Sequence, residues 1–574
     1  MQNSQPIRKL HRLQEMMKLL THLVRIVVPG TAQRYRIRLC PGGHMKARTF
    51  LFAIVVALLA GCNSSAPPAA ADVNSRPAAP AFAEQALVEE LVVANRILAS
   101  KELGVLDSYG HISVRSKANP NHYYIARWVA PALVTLSDII ENDLDSKSVS
   151  GERTDQYPEN ILHGEIYKAR PDVMAVVHLH TPEVVAFSVS SVPLGNNPPP
   201  VFPRSGVLNT PEIVKALIEQ LGKRNSILAQ GHGAVVVGTS LAGVVGGASG
   251  LRSSARLITQ TIALGGTVIS NPRGRRPQPQ DAPPPAPVEG ASGRSGRNRS
   301  WDYQKRMILT ENGGRVPAAP PADQKTAPRS AETIIEDLVL ASRMLASQEL
   351  GVLNALGHVS VRNPKNPNHY FISRAVAPGS VTAADIIEND LDSNAVGGPR
   401  DDEFQEIYIH GEIYKARPDV MAVVHSHTPE LVAFSQSSVP LRLVYNGANF
   451  IGNGIKSWVV GNYDPDKNVV SNPTLGHALA ETLGNDTVVL LAGHGIALAS
   501  PSLYDLVSDV HDLRINAEIQ MQAILLGGRI NYLKQPAPRS GNAGPGLLAP
   551  DGSGGGRRGG ERAWEYWRQT IKVN

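Results

Sequence analysis

One sixteen-residue stretch, HGEIYKARPDVMAVVH, occurs twice in this chain, at positions 163–178 and 410–425. The copies lie 247 positions apart, and the same offset aligns their surroundings without a gap from about Leu98 to about Pro193. This period is far longer than the roughly 20–50-residue unit of a solenoid, so each copy is expected to enclose its own core. The repeat therefore predicts two similar domains and, because a His-x-His pair closes each copy, two versions of one chemical site.

The net charge of +6 is concentrated at the start of the chain. Residues 1–44 carry eight Lys or Arg and one Glu, so the remaining sequence is close to neutral. The composition therefore gives no argument for nucleic acid as a partner. Cys40 and Cys62 are the only cysteines, and we predict no structural disulfide.

A targeting segment is predicted from Met45 onward. Two basic residues precede an apolar run over 50–60, and Leu-Ala-Gly-Cys then ends at Cys62. This order is typical of an export signal, and the run is too short for a comfortable membrane span. The ending resembles a bacterial lipobox, which implies Met45 as the true start, residues 1–44 as an over-extended start, and lipid attachment at Cys62. We expect a lipid-anchored protein of the cell envelope or periplasm, or a cytoplasmic protein if Met45 is not the start. The alternative interpretation of the run is a short buried helix.

Composition divides the rest of the chain into domains and connections. Residues 63–83 have the composition of a disordered tether. The Pro- and Gly-rich segments 271–330 and 535–574 are interpreted as linkers, each with a short aromatic tail. The predicted domains are residues 84–270 and 331–534. Strand and helix patterns alternate in both, which predicts an α/β sandwich.

Apolar periodicity and chain breakers predict the main elements of the first domain. Helices are expected over 161–169 and 241–264, and over 211–221 with Thr210 as the N-cap. An apolar, β-branched strand is expected over 174–180. The pattern leaves strand order and direction open.

The second copy contains the residues of a metal site. His425 and His427 are two apart on a predicted strand, so both rings face the same side. His494 lies between two glycines, which let the backbone approach a ligand closely. Three neutral imidazoles suit zinc or a similar divalent ion. Glu406, one helical turn before His410, is a candidate general acid/base or displaceable fourth ligand.

The first copy supplies the same set, namely Glu159, His178, His180 and His232. A single His-x-His pair is more often structural than metal-binding. Two copies, each with a third histidine and a glutamate in register, favour a metal. The helix histidines His163 and His410 are interpreted as structural.

The combined pattern resembles the class II aldolase/adducin family. It runs Glu-x-x-x-His-x-x-x-Tyr-x-x-Arg-Pro-Asp-Val-x-Ala-Val-Val-His-x-His, followed by His-Gly, and the resemblance covers about 84–310 and 331–574. It implies two tandem α/β/α sandwich domains, each with a central, mostly antiparallel sheet. It also implies Zn²⁺, or another divalent ion such as Mn²⁺, Co²⁺ or Fe²⁺, on the three histidines of each copy, with Glu159 and Glu406 as the acidic catalytic residues. Family members cleave C–C bonds by retro-aldol chemistry.

The loops depart from those of the sugar-phosphate members of that family. Gly-His replaces the Gly-Asn phosphate loop, and the GHISVR and GHVSVR segments resemble more closely the branch of hydroxyaromatic-acid decarboxylases. By that resemblance a substrate carboxylate would be bound by His111, Arg127, His358 and Arg374. We therefore expect a metal-dependent lyase that acts on a small oxygenated carboxylic acid or carbohydrate-like molecule. Aldol-type and decarboxylation chemistry both remain open, and a non-catalytic, adducin-like assembly module is the alternative.

Two further features concern neighbouring domains. The second domain has 15 extra residues between Pro440 and His494, around 445–466, which favours the second site as the active one. Tyr303 and Tyr566 in the aromatic tails are candidate proton donors to a neighbouring site, or aromatic plugs in a packing groove. The resemblance also implies a homo-oligomer or a pseudo-tetramer.

Overall fold

The computed structural model describes residues 82–265, 305–306, 308–309, 333–452, 454–534 and 558–570. The predicted export segment with Cys62, the predicted tether up to residue 81, and Tyr303 lie outside these residues. Within the described ranges, no helix is both long and apolar enough to cross a membrane.

The first domain alternates strands and helices along the chain. Its strands are β1 His111–Arg115, β2 His122–Ala126, β3 Ile139–Asp143, β4 Ala175–Leu179, β5 Val201–Phe202, β6 Ser226–Ala229 and β7 Gly233–Gly238. Its helices are α1 Gln85–Leu98, α2 Asn160–Ala169, α3 Pro182–Val189, α4 Pro211–Leu221 and α5 Leu241–Ala263.

The second domain repeats this plan and adds a C-terminal helix. Its strands are β8 His358–Arg362, β9 His369–Ser373, β10 Ile386–Asp390, β11 Ala422–Ser426, β12 Lys456–Trp458, β13 Val488–Leu491 and β14 Gly495–Ser500. Its helices are α6 Ile334–Leu345, α7 Tyr408–Ala416, α8 Pro429–Ser435, α9 Pro473–Leu483, α10 Leu503–Leu525 and α11 Arg558–Thr570.

Each domain is built on one seven-stranded sheet. The strand order is β3-β2-β1-β4-β7-β6-β5 in the first domain and β10-β9-β8-β11-β14-β13-β12 in the second. All neighbours are antiparallel except the edge pairs β5–β6 and β12–β13, which are parallel. This confirms the predicted, mostly antiparallel sheet.

The central strands are buried on both faces, which is why their sequences are continuously apolar. In β11, Val423 packs in a cluster with apolar residues of α7 and α9. Its neighbours Ala422 and Val424 point the other way, into a cluster with α6, α8 and α10. The alternation places one helical layer on each side of the sheet, as the α/β/α sandwich requires.

The local predictions agree with the structure to within a residue or two. Helix α4 begins at Pro211 and ends at Leu221, and the Thr210 hydroxyl accepts a hydrogen bond from the Ile213 amide. The predicted strand over 174–180 is Ala175–Leu179. Strand β3 and helix α3 were not predicted.

The two domains share an apolar interface. Val185, Ala186 and Val189 of α3 are fully buried in a cluster that otherwise consists of second-domain residues. Conversely, Leu526, just after α10, belongs to the apolar cluster of the first domain. Backbone hydrogen bonds reinforce the contact, for example from the Asn446 amide to the Gly231 carbonyl at 2.7 Å.

Candidate metal centres and their surroundings

The central strand of each sheet positions two imidazoles. His178 lies in β4, and its Nδ1 is 3.1 Å from the backbone oxygen of Ala234 on the neighbouring strand. His180 follows β4 directly, and its Nδ1 is 3.2 Å from both carboxylate oxygens of Asp107. In the second domain, His425 Nδ1 is 2.8 Å from the Ile496 oxygen. His427 Nδ1 is 3.3 Å from Oδ1 of Asn354, the repeat counterpart of Asp107.

A tight turn between two strands brings in the third imidazole. His232 sits between β6 and β7, and Gly231 before it has a φ of +64°. A Cβ on Gly233 would lie 2.0 Å from the backbone oxygen of Leu179, and one on Gly495 would lie 2.1 Å from that of Ser426. The Gly-His-Gly sequence is therefore required because the turn passes directly against the strand that leads into the His-x-His pair.

The first centre, hereafter centre 1, consists of Glu159, His178, His180 and His232, all buried. His178 Nε2 is 3.0 Å from His180 Nε2 and 3.4 Å from His232 Nε2. Oε2 of Glu159 is 3.3 Å from His178 Nε2, and its Oε1 is 3.6 Å from His232 Nε2.

The second centre, hereafter centre 2, consists of Glu406, His425, His427 and His494. His427 Nε2 is 3.0 Å from His425 Nε2 and 2.9 Å from His494 Nε2. Oε2 of Glu406 is 3.3 Å from His425 Nε2 and 3.5 Å from His494 Nε2. Centre 2 is more open, since the His494 side chain is 20% exposed and that of His232 is 8% exposed.

The protonation of these rings makes each centre suitable for a cation. A carbonyl or carboxylate oxygen only accepts hydrogen bonds, so the ring Nδ1 beside it carries a proton, and in a neutral ring Nε2 then carries the lone pair. Burial lowers the pKa of His232 to about 3 and that of His427 to about 4, so these rings are neutral near pH 7. Lone pairs about 3 Å apart repel one another unless a cation lies between them. Three imidazoles and one carboxylate are a donor set that suits a divalent ion of the zinc type.

The two glutamates are held by the backbone. The Leu208 amide donates to Oε1 of Glu159 at 2.6 Å, and the Val470 amide donates to Oε1 of Glu406 at 3.2 Å. Burial alone would raise the pKa of Glu159, but His232 and His178 outweigh it and hold that pKa well below its usual value. The pKa of Glu406 is also lowered. Burial would raise it, but the interactions with His425 and His494 outweigh that effect. Both groups are therefore carboxylates near neutral pH.

A buried chain of hydrogen-bonding groups lies behind each glutamate. Nε2 of His111 faces Oε2 of Glu159 at 3.7 Å, and its Nδ1 is 2.7 Å from His163 Nε2. His163 Nδ1 is 2.6 Å from the Ser113 hydroxyl, which is 2.8 Å from the Tyr167 hydroxyl. If His111 presents an N–H to the carboxylate, then each group in turn donates toward Glu159.

The second domain contains the same chain at the same spacing. His358 is 2.7 Å from His410, His410 is 2.6 Å from Ser360, and Ser360 is 2.8 Å from Tyr414. His163 and His410, which were interpreted as structural, thus contact His111 and His358, respectively.

The structure places the predicted arginines differently from the histidines. Arg127 forms an ion pair with Asp138 at 2.7 Å, and Arg374 forms one with Asp385 at 2.7 Å. His111 lies beside centre 1, whereas each arginine is committed to an aspartate that also caps a short turn. A role for Arg127 and Arg374 in carboxylate binding remains a prediction.

A cavity of about 190 Å³ lies between the domains beside His180 of centre 1. The second domain contributes to its wall Glu349, Tyr445, His511, Asp512, Tyr566 and Trp567. Tyr445 belongs to the extra segment that favoured the second site at the sequence level. The structure instead places this residue beside centre 1.

Tyr566 also faces this cavity. Burial raises its pKa above the usual value, and the nearby Glu349 carboxylate raises it further. The neighbouring Trp564 and Trp567 are buried, so the C-terminal helix is docked through its indoles while its tyrosine lines the cavity. Whether Tyr566 donates a proton remains a prediction.

Sequence reasoning missed the residues that orient the ligands. Asp107 was not singled out, although an Asp or Asn three positions before a glycine is a turn signal in both copies. Its Oδ1 accepts the amides of Tyr109 and Gly110, which fixes the carboxylate below His180. His511 was also missed, because no local pattern connects a residue of α10 with a site in the other domain.

Comparison with known proteins agrees with this architecture. Residues 89–259 and 336–521 match the family described as Class II Aldolase and Adducin N-terminal domain. The chain is 31% identical over 204 residues to Decarboxylase tropJ of Talaromyces stipitatus, which covers 33% of this chain and 76% of that protein. It is 30% identical over 207 residues to 3,4-dihydroxyphthalate decarboxylase of Arthrobacter keyseri, which covers 34% of this chain and 82% of that protein.

Among solved structures, an aldolase II superfamily protein from Pseudomonas syringae is similar at 20% identity, with 44% of this chain and 96% of that chain covered and a TM-score of 0.33. The family matches together span more than half of the sequence and fall on the two sheets that carry the His/Glu centres. The chain therefore belongs to the class II aldolase and adducin family, with two tandem copies of the domain.

Proposed function

We propose that the chain is a divalent-metal-dependent carbon–carbon lyase that decarboxylates a small hydroxylated carboxylic acid. The observation that carries this proposal is the convergence of three imidazoles and one carboxylate in each domain, with His111 of the GHISVR segment behind the carboxylate of the first. The decarboxylase names of two relatives support the choice of reaction.

The residues of centre 1 are suited to move one proton during C–C cleavage. A bound divalent ion would supply Lewis-acid stabilisation of negative charge on a substrate oxygen. Glu159 is a carboxylate near neutral pH, so it can accept a hydroxyl proton of the substrate and return it to the carbon that loses CO₂. The electron pair of the broken C–C bond becomes the new C–H bond, and the substrate oxygen regains a proton from solvent. His111 contacts Glu159 from behind and keeps its carboxylate aimed at the centre.

The cavity beside centre 1 agrees with a small substrate. A volume of about 190 Å³ is comparable with the roughly 150 Å³ engineered cavity that holds benzene. A one-ring hydroxylated acid such as a dihydroxyphthalate is of this order of size, and the Tyr445 and Tyr566 hydroxyls would meet its polar groups.

Aldol cleavage is the second candidate. The same metal and carboxylate chemistry serves a retro-aldol reaction, and the family name includes aldolases. A non-catalytic, adducin-like module is less well supported, because a scaffold has no need for four polar side chains aimed at one point in each domain.

The test combines metal content with turnover. The full chain is loaded with Zn²⁺ or Mn²⁺ and assayed for CO₂ release from hydroxylated benzoates and phthalates, and for aldehyde release from hydroxy-acid and sugar-phosphate substrates. We expect about two ions per chain, and a loss of about 10²–10⁴-fold in kcat for the double variant Glu159→Gln/Glu406→Gln, which removes the carboxylate from both centres. Glu152→Gln, at an exposed position away from the centre, is the control. Metal binding without any turnover would favour the scaffold, and absence of metal binding would overturn the proposal.

We also propose that the chain is anchored at the cell envelope through Cys62, on the basis of the export-type segment. Fatty-acid labelling of the full chain in a bacterial host should be lost in Cys62→Ala. Equal labelling of both proteins, or none in either, would refute the anchor.

A further inference from the structure

The buried hydrogen-bonding groups behind Glu159 form a relay, which consists of His111, His163, Ser113 and Tyr167. The ring nitrogens of His111 and His163 are 2.7 Å apart, and the remaining links, through the Ser113 hydroxyl, are 2.6 and 2.8 Å long. His111 and Tyr167 are 1% exposed, while His163 and Ser113 are fully buried. The members of the relay must therefore satisfy one another's hydrogen bonds.

The two histidines of the relay allow only two arrangements of protons. Burial lowers the pKa of His111 to about 4 and holds the pKa of His163 well below its usual value. Both rings are therefore neutral near pH 7, and each has one N–H and one lone pair. The contact joins His111 Nδ1 to His163 Nε2, so either His163 donates to His111 or His111 donates to His163.

The tyrosine end of the relay favours the first arrangement. Among the described residues, the Tyr167 hydroxyl has one hydrogen-bond partner, the Ser113 hydroxyl. Tyr167 therefore donates to Ser113, Ser113 donates to His163 Nδ1, and the Nε2–H of His163 donates to His111. In the opposite arrangement Ser113 would donate to Tyr167. The proton of Tyr167 would then have no acceptor, which is costly for a buried group.

The glutamate end favours the same arrangement. With His111 Nδ1 as an acceptor, the proton of this ring is on Nε2, which faces Oε2 of Glu159 at 3.7 Å. The opposite arrangement would turn a lone pair toward the carboxylate. A protonated Nε2 cannot bind a metal ion, although the centroids of the His111 and His178 rings are only 5.2 Å apart. An ion on three histidines would thus keep a coordination position open for a substrate oxygen.

We propose that Tyr167, Ser113 and His163 are positioning residues that fix His111 as an Nε2–H donor to Glu159 and so prevent His111 from becoming a further metal ligand. The catalytic use of Glu159 rests on the proposed lyase function, whereas the position of the proton on His111 does not. His163, which the sequence indicated to be structural, acts through His111.

The second domain contains the same relay but uses it differently. Its members are His358, His410, Ser360 and Tyr414, at the same distances. Among the described residues, however, the second domain has no counterpart of the contact between His111 and Glu159, since Glu406 faces only His425 and His494. The relay therefore holds the carboxylate in centre 1 alone.

Two substitutions of equal size test the direction of the relay. In Ser113→Asn, the amide N–H can donate to His163 and the amide oxygen can accept from Tyr167, so the direction is retained. In Ser113→Asp at about pH 8.5, the ionised carboxylate only accepts. His163 must then donate from Nδ1 and accept from His111 through Nε2. The proton of His111 moves to Nδ1, and its Nε2 lone pair faces the centre.

NMR of the metal-free full chain locates these protons. Long-range ¹H–¹⁵N spectra of ¹⁵N-histidine-labelled protein distinguish the two tautomers, and the signals lost in His111→Asn identify His111. We expect Nε2–H on His111 in the wild-type chain and in Ser113→Asn, and Nδ1–H in Ser113→Asp. Both variants add the same volume, so a merely structural role predicts no difference between them. Nδ1–H in the wild-type chain, or one tautomer in both variants, would overturn the proposal, and the wild-type spectrum decides even if a variant does not fold.

Cobalt binding gives an independent readout. His111 should become a ligand only in Ser113→Asp, so the visible absorption of the Co²⁺-loaded chain should change in that variant and keep the wild-type form in Ser113→Asn. Identical spectra of the two variants would contradict the proposal.

Turnover separates this proposal from the proposed function. In a Glu406→Gln background, which leaves the carboxylate only in centre 1, kcat of Ser113→Asp should be about 10–100-fold below that of Ser113→Asn. If no variant and not even the wild-type chain turns over any substrate, the lyase function fails, while the NMR spectra still decide the direction of the relay.

Discussion

At the residue scale, one difference separates two centres that otherwise share their ligands. Asp107 stands behind His180, whereas Asn354 stands behind His427 at the equivalent position. Although burial opposes it, interaction with His180 and two backbone amides holds the pKa of Asp107 below its usual value, so the residue is a carboxylate. A carboxylate behind a ligating imidazole fixes its orientation and raises its basicity more than an amide does.

Exchange of these residues should exchange the metal affinities. Asp107→Asn is expected to weaken metal binding at centre 1 by about 10–100-fold, and Asn354→Asp is expected to tighten centre 2. Competition with a chromophoric chelator measures both sites. Equal affinities in the wild-type chain, unchanged by either substitution, would contradict this argument.

Acid should destabilise the metal-free protein through its buried histidines. Burial lowers the pKa of His111 to about 4 and that of His410 to about 3, against an ordinary value of 6.5. Between these values the unfolded chain binds protons that the folded chain does not, so stability falls as pH falls from 6.5 toward 4. Each unit of depression corresponds to about 1.4 kcal/mol at low pH. Thermal unfolding of the metal-free chain at pH 7.5, 6 and 4.5 measures the trend, and a Tm that is constant or rises on acidification would contradict it.

At the element scale, the Gly-His-Gly turn depends on how closely two strands approach. Gly495 begins β14 against the backbone of Ser426 in β11, so the turn that carries His494 has no room for a side chain there. The same close approach occurs at Gly233. The glycines therefore serve the position of the third ligand as well as the turn itself.

Gly495→Ala should displace His494 and abolish metal binding at centre 2. We expect a loss of about 2–4 kcal/mol in the free energy of unfolding, because the new Cβ forces two central strands apart. Gly461→Ala is the matched control, since a Cβ there meets nothing within 4 Å. Denaturant unfolding and metal content of the two variants test the prediction, which fails if Gly495→Ala retains two ions per chain.

At the scale of the whole molecule, the second domain completes the cavity beside centre 1 of the first domain. Its helices α10 and α11 and the segment around Tyr445 close one side of the cavity beside centre 1, and Leu526 enters the apolar cluster of the first domain. The stability of the first domain should therefore depend on a residue of the second.

Leu526→Ala tests this coupling. Truncation of a buried leucine costs about 2–5 kcal/mol, and because this leucine packs in the other domain, we expect centre 1 to lose metal affinity as well. Leu356→Ala, at a position that is 69% exposed, should change the free energy of unfolding by less than about 0.5 kcal/mol. Calorimetry and metal titration provide the readouts. If the metal affinity of centre 1 is unchanged in Leu526→Ala, the two domains are independent.

The sequence by itself determined the two repeated domains, their local helices and strands, and the members of each centre. The duplicated segment predicted two domains, strand and helix periods predicted the sandwich, and Thr210 and Pro211 marked a helix start that the structure reproduces. The His-x-His, Gly-His-Gly and Glu spacing predicted the four members of each centre, because residues two apart on a strand share a face. Only the tertiary structure decided the strand order, the hydrogen bond between His111 and His163, and the pairing of Arg127 with Asp138. It also decided the position of Tyr445 and His511 beside centre 1. These contacts join segments far apart in the chain, and they depend on packing between layers and domains, for which a local hydrophobic period carries no information.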